Sequence, residues 1–303
     1  MRAHVWALAL LVWLALARPA QAAPSLTNVV DEAGLRVRAE ANVVDLGHEL
    51  ATVMRTKAAG IRADLPGLPS PARVDLIVVD DTSAIGAWAP NHNVPTWAAG
   101  VAFPEHGLVI VARRRHGRML DPHNTAAHEL AHLMLGVATD HRAPRWLHEG
   151  FAMLHAPEAS WQRGQVLNGM SWMNSHIPIE ELDASFPADE VPAHRAYAQS
   201  ADLVEFLVRR GRWDDAEDDG DRYPFRRFIA AIADGRSPDH AARAAYGRPL
   251  AFLFTEWKED LSRRMAFIPA DVFTGLVWTF TAMLVGLAYW RRRRSNARRH
   301  GRL

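Results

Sequence analysis

AAHELAHLMLG, residues 126–136, sets two histidines four positions apart in a run of helix-forming apolar residues, and Glu149 follows seventeen positions after His132 inside WLHEG. Four residues is about one helical turn, so His128 and His132 share a face and can aim two ring nitrogens at one cation. Glu129 turns partly off that face, where it reaches a water beside the cation without ligating it. A hydrolytic zinc site takes three protein ligands and keeps a fourth position open, and Glu149 is the candidate third ligand. The bland alternative is a surface helix with two solvated histidines. The flanking Leu130, Leu133, Met134 and Leu135 argue for a buried helix instead. Gly136 reads as its stop. Pro144 reads as a first-turn residue of a second helix, the one that carries Glu149. His148 is the rival third ligand, but on a helix it points about 100° away from Glu149. His123, His141 and His155 read as bystanders.

The chain has no cysteine, which excludes thiolate zinc sites and disulfide staples. Its net charge of +1 says little, but the distribution is informative: arginine dominates, and Lys57 and Lys258 are the only lysines. Neither repeats, nor a phosphate-binding glycine loop, nor a Ser or Cys triad signature is present. The acidic stretch DDAEDDGDRY, residues 214–223, fails as a calcium loop. Read from Asp215 it places Gly220 correctly, but Arg226 stands where a glutamate is required.

The two ends read as membrane signals. Residues 1–22 combine Arg2, an apolar run from Val5 to Ala17 and the small-x-small site Ala20-Gln21-Ala22, the pattern of an export signal peptide. Val272 to Trp290 carries no charge and is just long enough to span a bilayer core. Tyr289 and Trp290 suit an interfacial belt, and Arg291 to Arg294 follow at once, which keeps the tail 291–303 in the cytosol. The expected organisation is a signal peptide over 1–22, one domain over 24–265, a transmembrane helix over 272–290 and a basic cytoplasmic tail. Lipid is the expected partner of the span; nucleic acid is not expected.

Between the ends, Leu35, Val37 and Ala39 alternate, and residues 46–63 have helical spacing. Val74 to Val79 is a buried strand run, 83–98 reads as loop, and Gly107 to Arg113 reads as a second strand. The strand Leu108 to Arg113 is expected to line the cleft and offer its edge to a substrate backbone.

At HELAH and at PRWLHEG, residues 144–150, the chain resembles the gluzincin metallopeptidases, in particular the bacterial peptidase MA-like family. YAQSADLVEFL (197–207) resembles that family's Tyr-x-Gln-Ser helix start, and AARAAYGRPLAFLFTEWKEDL (241–261) its last helices. The resemblance implies an α+β zincin-like domain: a small mixed sheet, an active-site helix and a helical C-terminal part. It implies zinc on His128, His132 and Glu149, and favours Glu149 over His148. It implies Glu129 as general base and Tyr197 as second electrophile, with a core tyrosine as the alternative reading and His194 as second choice. The activity implied is hydrolysis of peptide or protein substrates, on the outer side of the bacterial cytoplasmic membrane given the two ends. Where such proteins often carry a further carboxylate one turn after the third ligand, this chain has Met153. That departure favours a competing reading, a binding module that keeps the metal without turnover.

Overall fold

The computed structural model describes residues 25–90, 94, 98–156, 160–186, 190–213, 223–265 and 270–300. The expected signal peptide, the acidic stretch over 214–222 and the tail beyond 300 lie outside them.

The first half is a mixed sheet. β1 (Leu26–Glu32) pairs antiparallel with β2 (Leu35–Glu40), which runs parallel to β3 (Val74–Asp81). β3 runs parallel to β5 (Leu108–Arg115), and β5 pairs antiparallel with β4 (Gly100–Phe103) and with the short β6 (Arg118–Met119). The alternation at Leu35, Val37 and Ala39 puts all three on one face, where they join Leu76, Val78, Val109 and Val111. α1 (Val44–Asp64) and α3 (Pro122–Thr139) pack against this side of the sheet and each other. The other face of β3 and β5, with Ile77, Val79, Ile110 and Ala112, is closed by the short helix α2 (Ile85–Trp88) and its flanks. Both faces of β3 are thus buried, which explains its nearly unbroken apolar run.

Two expectations need correction here. β5 is paired on both sides, by β3 and by β4, so its edge is not available. The edge strand is β4, a four-residue segment just beyond the expected loop. Gly136 does not stop its helix either. α3 runs on to Thr139 and ends at Asp140, whose left-handed backbone lets Asp140 N–H reach Val137 O and His141 N–H reach Gly136 O. Gly136 is a packing residue: a Cβ there would sit 2.7 Å from the Pro104 ring.

The second half is helical: α4 (Arg145–His155), α5 (Ser160–Trp172), α6 (Ile179–Leu182), α7 (Glu190–Trp213), α8 (Tyr223–Ala233), α9 (Pro238–Tyr246) and α10 (Leu250–Arg264). Pro144 lies just outside α4 as its N-cap residue, one position earlier than the sequence suggested. The free N–H of Trp146 in the first turn is taken by the Asp183 carboxylate at 3.1 Å, which also sets a negative charge at the positive end of the helix. The Gln and Asp of the 197–207 segment have structural work. Gln199 accepts from Ile177 N–H at 2.9 Å and donates to Ile177 O at 2.7 Å, and Asp202 accepts from the buried Trp257 indole at 2.8 Å.

α4 and α7 touch at Gly150. A Cβ at this position would stand 2.4 Å from both Ser200 O and Val204 Cγ2, and neither backbone nor a β-branched side chain can yield by that much. Gly150→Ala is therefore expected to push the two helices apart, lowering stability by about 1–3 kcal/mol or more. A urea midpoint that does not move would show that the helix pair tolerates the methyl group.

α11 (Ala270–His300) is one continuous helix. Its described apolar side chains, among them Trp278, Phe280, Met283, Val285 and Tyr289, are largely exposed. Among the described residues no helix is long and apolar enough to cross a membrane, so the expected span over 272–290 has no support from them. The side chains of Val272, Phe273, Thr274 and Leu276 within that span lie outside the described residues.

Candidate active site

α3 starts where its sequence dictates. Asp121 caps it, accepting from Asn124 N–H at 3.0 Å, and Pro122 takes the first position, where no N–H is needed. From that start His128 and His132 fall on one face, their rings edge to face at 4.7 Å between centroids. α4 packs across α3 and brings Glu149 to the same point.

Three ligand-type atoms converge there. His128 Nε2 and His132 Nε2 are 3.0 Å apart, and Glu149 Oε2 lies 3.7 Å from the first and 3.4 Å from the second. Zinc bonds of roughly 2.0–2.2 Å in tetrahedral array set their ligand atoms about 3.3–3.5 Å apart. The observed separations bracket that value, and two neutral imidazoles with one carboxylate form a donor set suited to zinc. The residues present therefore fit the ion.

His148 also reaches this region but is not in the cluster. Its ring stacks on His132 at 5.8 Å between centroids, and burial pushes its pKa down to about 4. Of the histidines read as bystanders, His123 contacts Glu49 at 3.0 Å, and His155 contacts Asp64 at 3.4 Å.

The cluster sits in a cleft of about 620 Å³. One wall is the edge of the sheet, Ala98 to Ala102; the other comes from α4, α5 and the start of α7, including Arg145, Met153, Arg163 and Tyr197. Glu129 faces the same cleft. Burial raises its pKa above the ordinary carboxylate range, with His128 and His132 opposing. Gly100 of β4 leaves room for two side chains of α3: a Cβ there would stand 2.6 Å from Thr125 Cγ2 and 2.9 Å from Glu129 Cγ. Gly100→Ala is expected to displace the Glu129 side chain, cutting turnover by about 10²-fold, as misplacement by an ångström does, while zinc content stays at the parental level. Unchanged turnover would mean that β4, not Glu129, gives way.

Tyr197 is half-buried on the cleft wall, with its ring edge on to Phe186 at 5.2 Å. Burial and the nearby Glu149 push its pKa up to about 12, so the phenol keeps its proton and can donate it in a hydrogen bond. His194 lines the cleft too, but it is exposed. Met153, one turn after Glu149, is buried against the cleft.

Arg145 is a cleft residue that the sequence reading did not single out. Its Nε lies 3.8 Å from Glu149 Oε1, the oxygen turned away from the imidazoles, and its guanidinium faces Tyr197. The signal was available: Arg145 stands four residues before Glu149, and such pairs share a helix face.

A sequence model of the Peptidase MA superfamily matches residues 74–263. The match begins at β3 and ends in α10, so it contains β4, α3, α4, α5 and α7, which build the cleft. No curated protein matches the chain.

Proposed function

Because the chain belongs to the Peptidase MA superfamily, we propose that its peptidase-like domain is a zinc-dependent metallopeptidase of the gluzincin type, anchored in the bacterial cytoplasmic membrane with its cleft outside the cytosol. The observation that carries the reading is the convergence of His128, His132 and Glu149, with Glu129 beside them, in one cleft. His128 and His132 would hold zinc as neutral imidazoles and Glu149 as a carboxylate. Bound there, the ion would supply Lewis acidity and lower the pKa of water. Glu129 would take the proton from that water and hand it to the departing amine. Tyr197, protonated and on the cleft wall, donates to the oxygen on which charge builds. β4 is the edge strand of the sheet, where an extended peptide could add alongside Ala102, whose N–H contacts Glu129.

The membrane part of the proposal rests on the sequence of the two ends alone. Residues 1–22 direct export, 272–290 stop it, and the arginines from Arg291 onward stay inside. A reporter active only in the cytoplasm, fused after Leu303, should then be active, and protease added to spheroplasts should degrade the domain. A domain that survives that treatment places the cleft in the cytosol.

Met153 favours a second reading, a metal-holding module without turnover. Full-length protein in detergent micelles distinguishes the two. Expected are one zinc per chain and hydrolysis of a denatured protein, abolished by chelation and restored by zinc. Zinc without hydrolysis supports the binding module; folded protein that takes up no zinc removes both readings.

A further inference from the structure

Among the described residues, Arg145 is a cation of the cleft wall that is fixed in direction yet half exposed. The Arg145 guanidinium lies over the Phe186 ring, 4.8 Å from its centroid, and Nη1 donates to Phe186 O at 3.0 Å. Those two contacts set the plane of the fork. The side chain is nevertheless 47 % exposed and lines the cleft. Beyond those two contacts, Nε forms an ion pair with Glu149 Oε1 at 3.8 Å, too long for a hydrogen bond, and the guanidinium contacts the Tyr197 hydroxyl, so the fork is only partly engaged.

Among the described residues, the other charged groups of the cleft have partners. Glu129 and Glu149 face the imidazoles. Arg163 is paired with Glu205 at 2.8 Å, and its side chain is only 18 % exposed. The opposite wall, Ala98 to Ala102, brings no acid. An arginine held flat, half open and opposite an uncharged wall is a receptor for a carboxylate, because its fork matches the two oxygens and little side-chain freedom remains to be lost on binding.

Resting on the peptidase reading above, we propose that Arg145 binds a carboxylate of the substrate, so that the cleft selects peptides presenting one near the bond to be cut. That carboxylate belongs either to a free chain terminus or to an aspartate or glutamate side chain.

Three peptides separate the sources: acetyl-Ala-Ala-Phe-Ala-Ala as the free acid, the same peptide as the C-terminal amide, and acetyl-Ala-Ala-Phe-Glu-Ala-amide. Binding is measured by calorimetry on full-length, zinc-loaded protein carrying Glu129→Gln, so that the peptides stay intact. One of the two carboxylate peptides should bind at least about tenfold more tightly than the neutral amide, the ratio that one charge-assisted hydrogen bond supports. A preference for the free acid identifies the chain terminus, and a preference for the glutamate peptide identifies the side chain. Adding Arg145→Ala should bring all three within about twofold of one another, and Arg145→Lys should keep part of the preference because the charge remains without the fork. Equal binding of all three peptides overturns the inference and leaves the peptidase reading standing, as does a preference that survives Arg145→Ala. Should Arg145→Ala fail to fold, the comparison of peptides on the parent protein and on Arg145→Lys decides. No binding of any peptide, together with no hydrolysis by protein that retains Glu129, removes the peptidase reading and this inference together.

Discussion

Glu129→Gln is expected to leave zinc in place and to lower hydrolysis by about 10²- to 10⁴-fold, the usual worth of a positioned general base. The amide has nearly the volume of the carboxylate, so the tight contacts around residue 129 survive. Thr125 precedes it by one turn, and β4 presses close at Gly100. What the amide lacks is the ability to accept a proton. The metal cluster does not include Glu129, so its three ligand-type atoms keep their places. Atomic absorption on both proteins, with turnover of one substrate, checks the two halves separately. Equal turnover would assign the proton transfer to another group, and His194, on the same cleft wall, would be the first to test. Zinc loss in the variant would instead mean that Glu129 supports the ligands.

The residues that were legible from sequence are those whose placement is local. His128, Glu129 and His132 lie within five positions of one helix, and the helical repeat alone puts the two rings together. Glu149 was legible for a different reason: PRWLHEG resembles a family motif, while the approach of α4 to α3 is a tertiary event that spacing cannot supply. β4 was not legible. Four residues are too few for a period to show, and the need for a glycine at 100 emerges only where Thr125 and Glu129 of α3 fill the space beside it. Gly136 failed in the same way. The residue type that ends helices also makes room between elements, and here Pro104 occupies that room. Arg145 shows where local rules stop. Its relation to Glu149 follows from the helix, but its orientation depends on Phe186, forty-one positions later.

Glu149→Ala is expected to cost zinc affinity by more than about 100-fold, beyond what losing a mere partner of a ligand costs, whereas His148→Ala should change it by less than about tenfold. The two residues are neighbours in one helix and both approach His132, so their contrast tests the site more sharply than either alone. Glu149 presents Oε2 to both ring nitrogens, at 3.7 and 3.4 Å. His148 stacks on the His132 ring and is not among the three groups whose ligand atoms converge. Removing Glu149 leaves two imidazoles and no anion. A dication then lacks both a third ligand and the charge that offsets it, and the two histidines alone make a poor site. Competition with a chromophoric chelator gives both affinities, and the melting temperatures of the metal-free proteins show whether either change merely loosens α4. The opposite pattern, with zinc lost on His148→Ala and kept on Glu149→Ala, would make the imidazole the third ligand, and the HELAH helix would then belong to a three-histidine site.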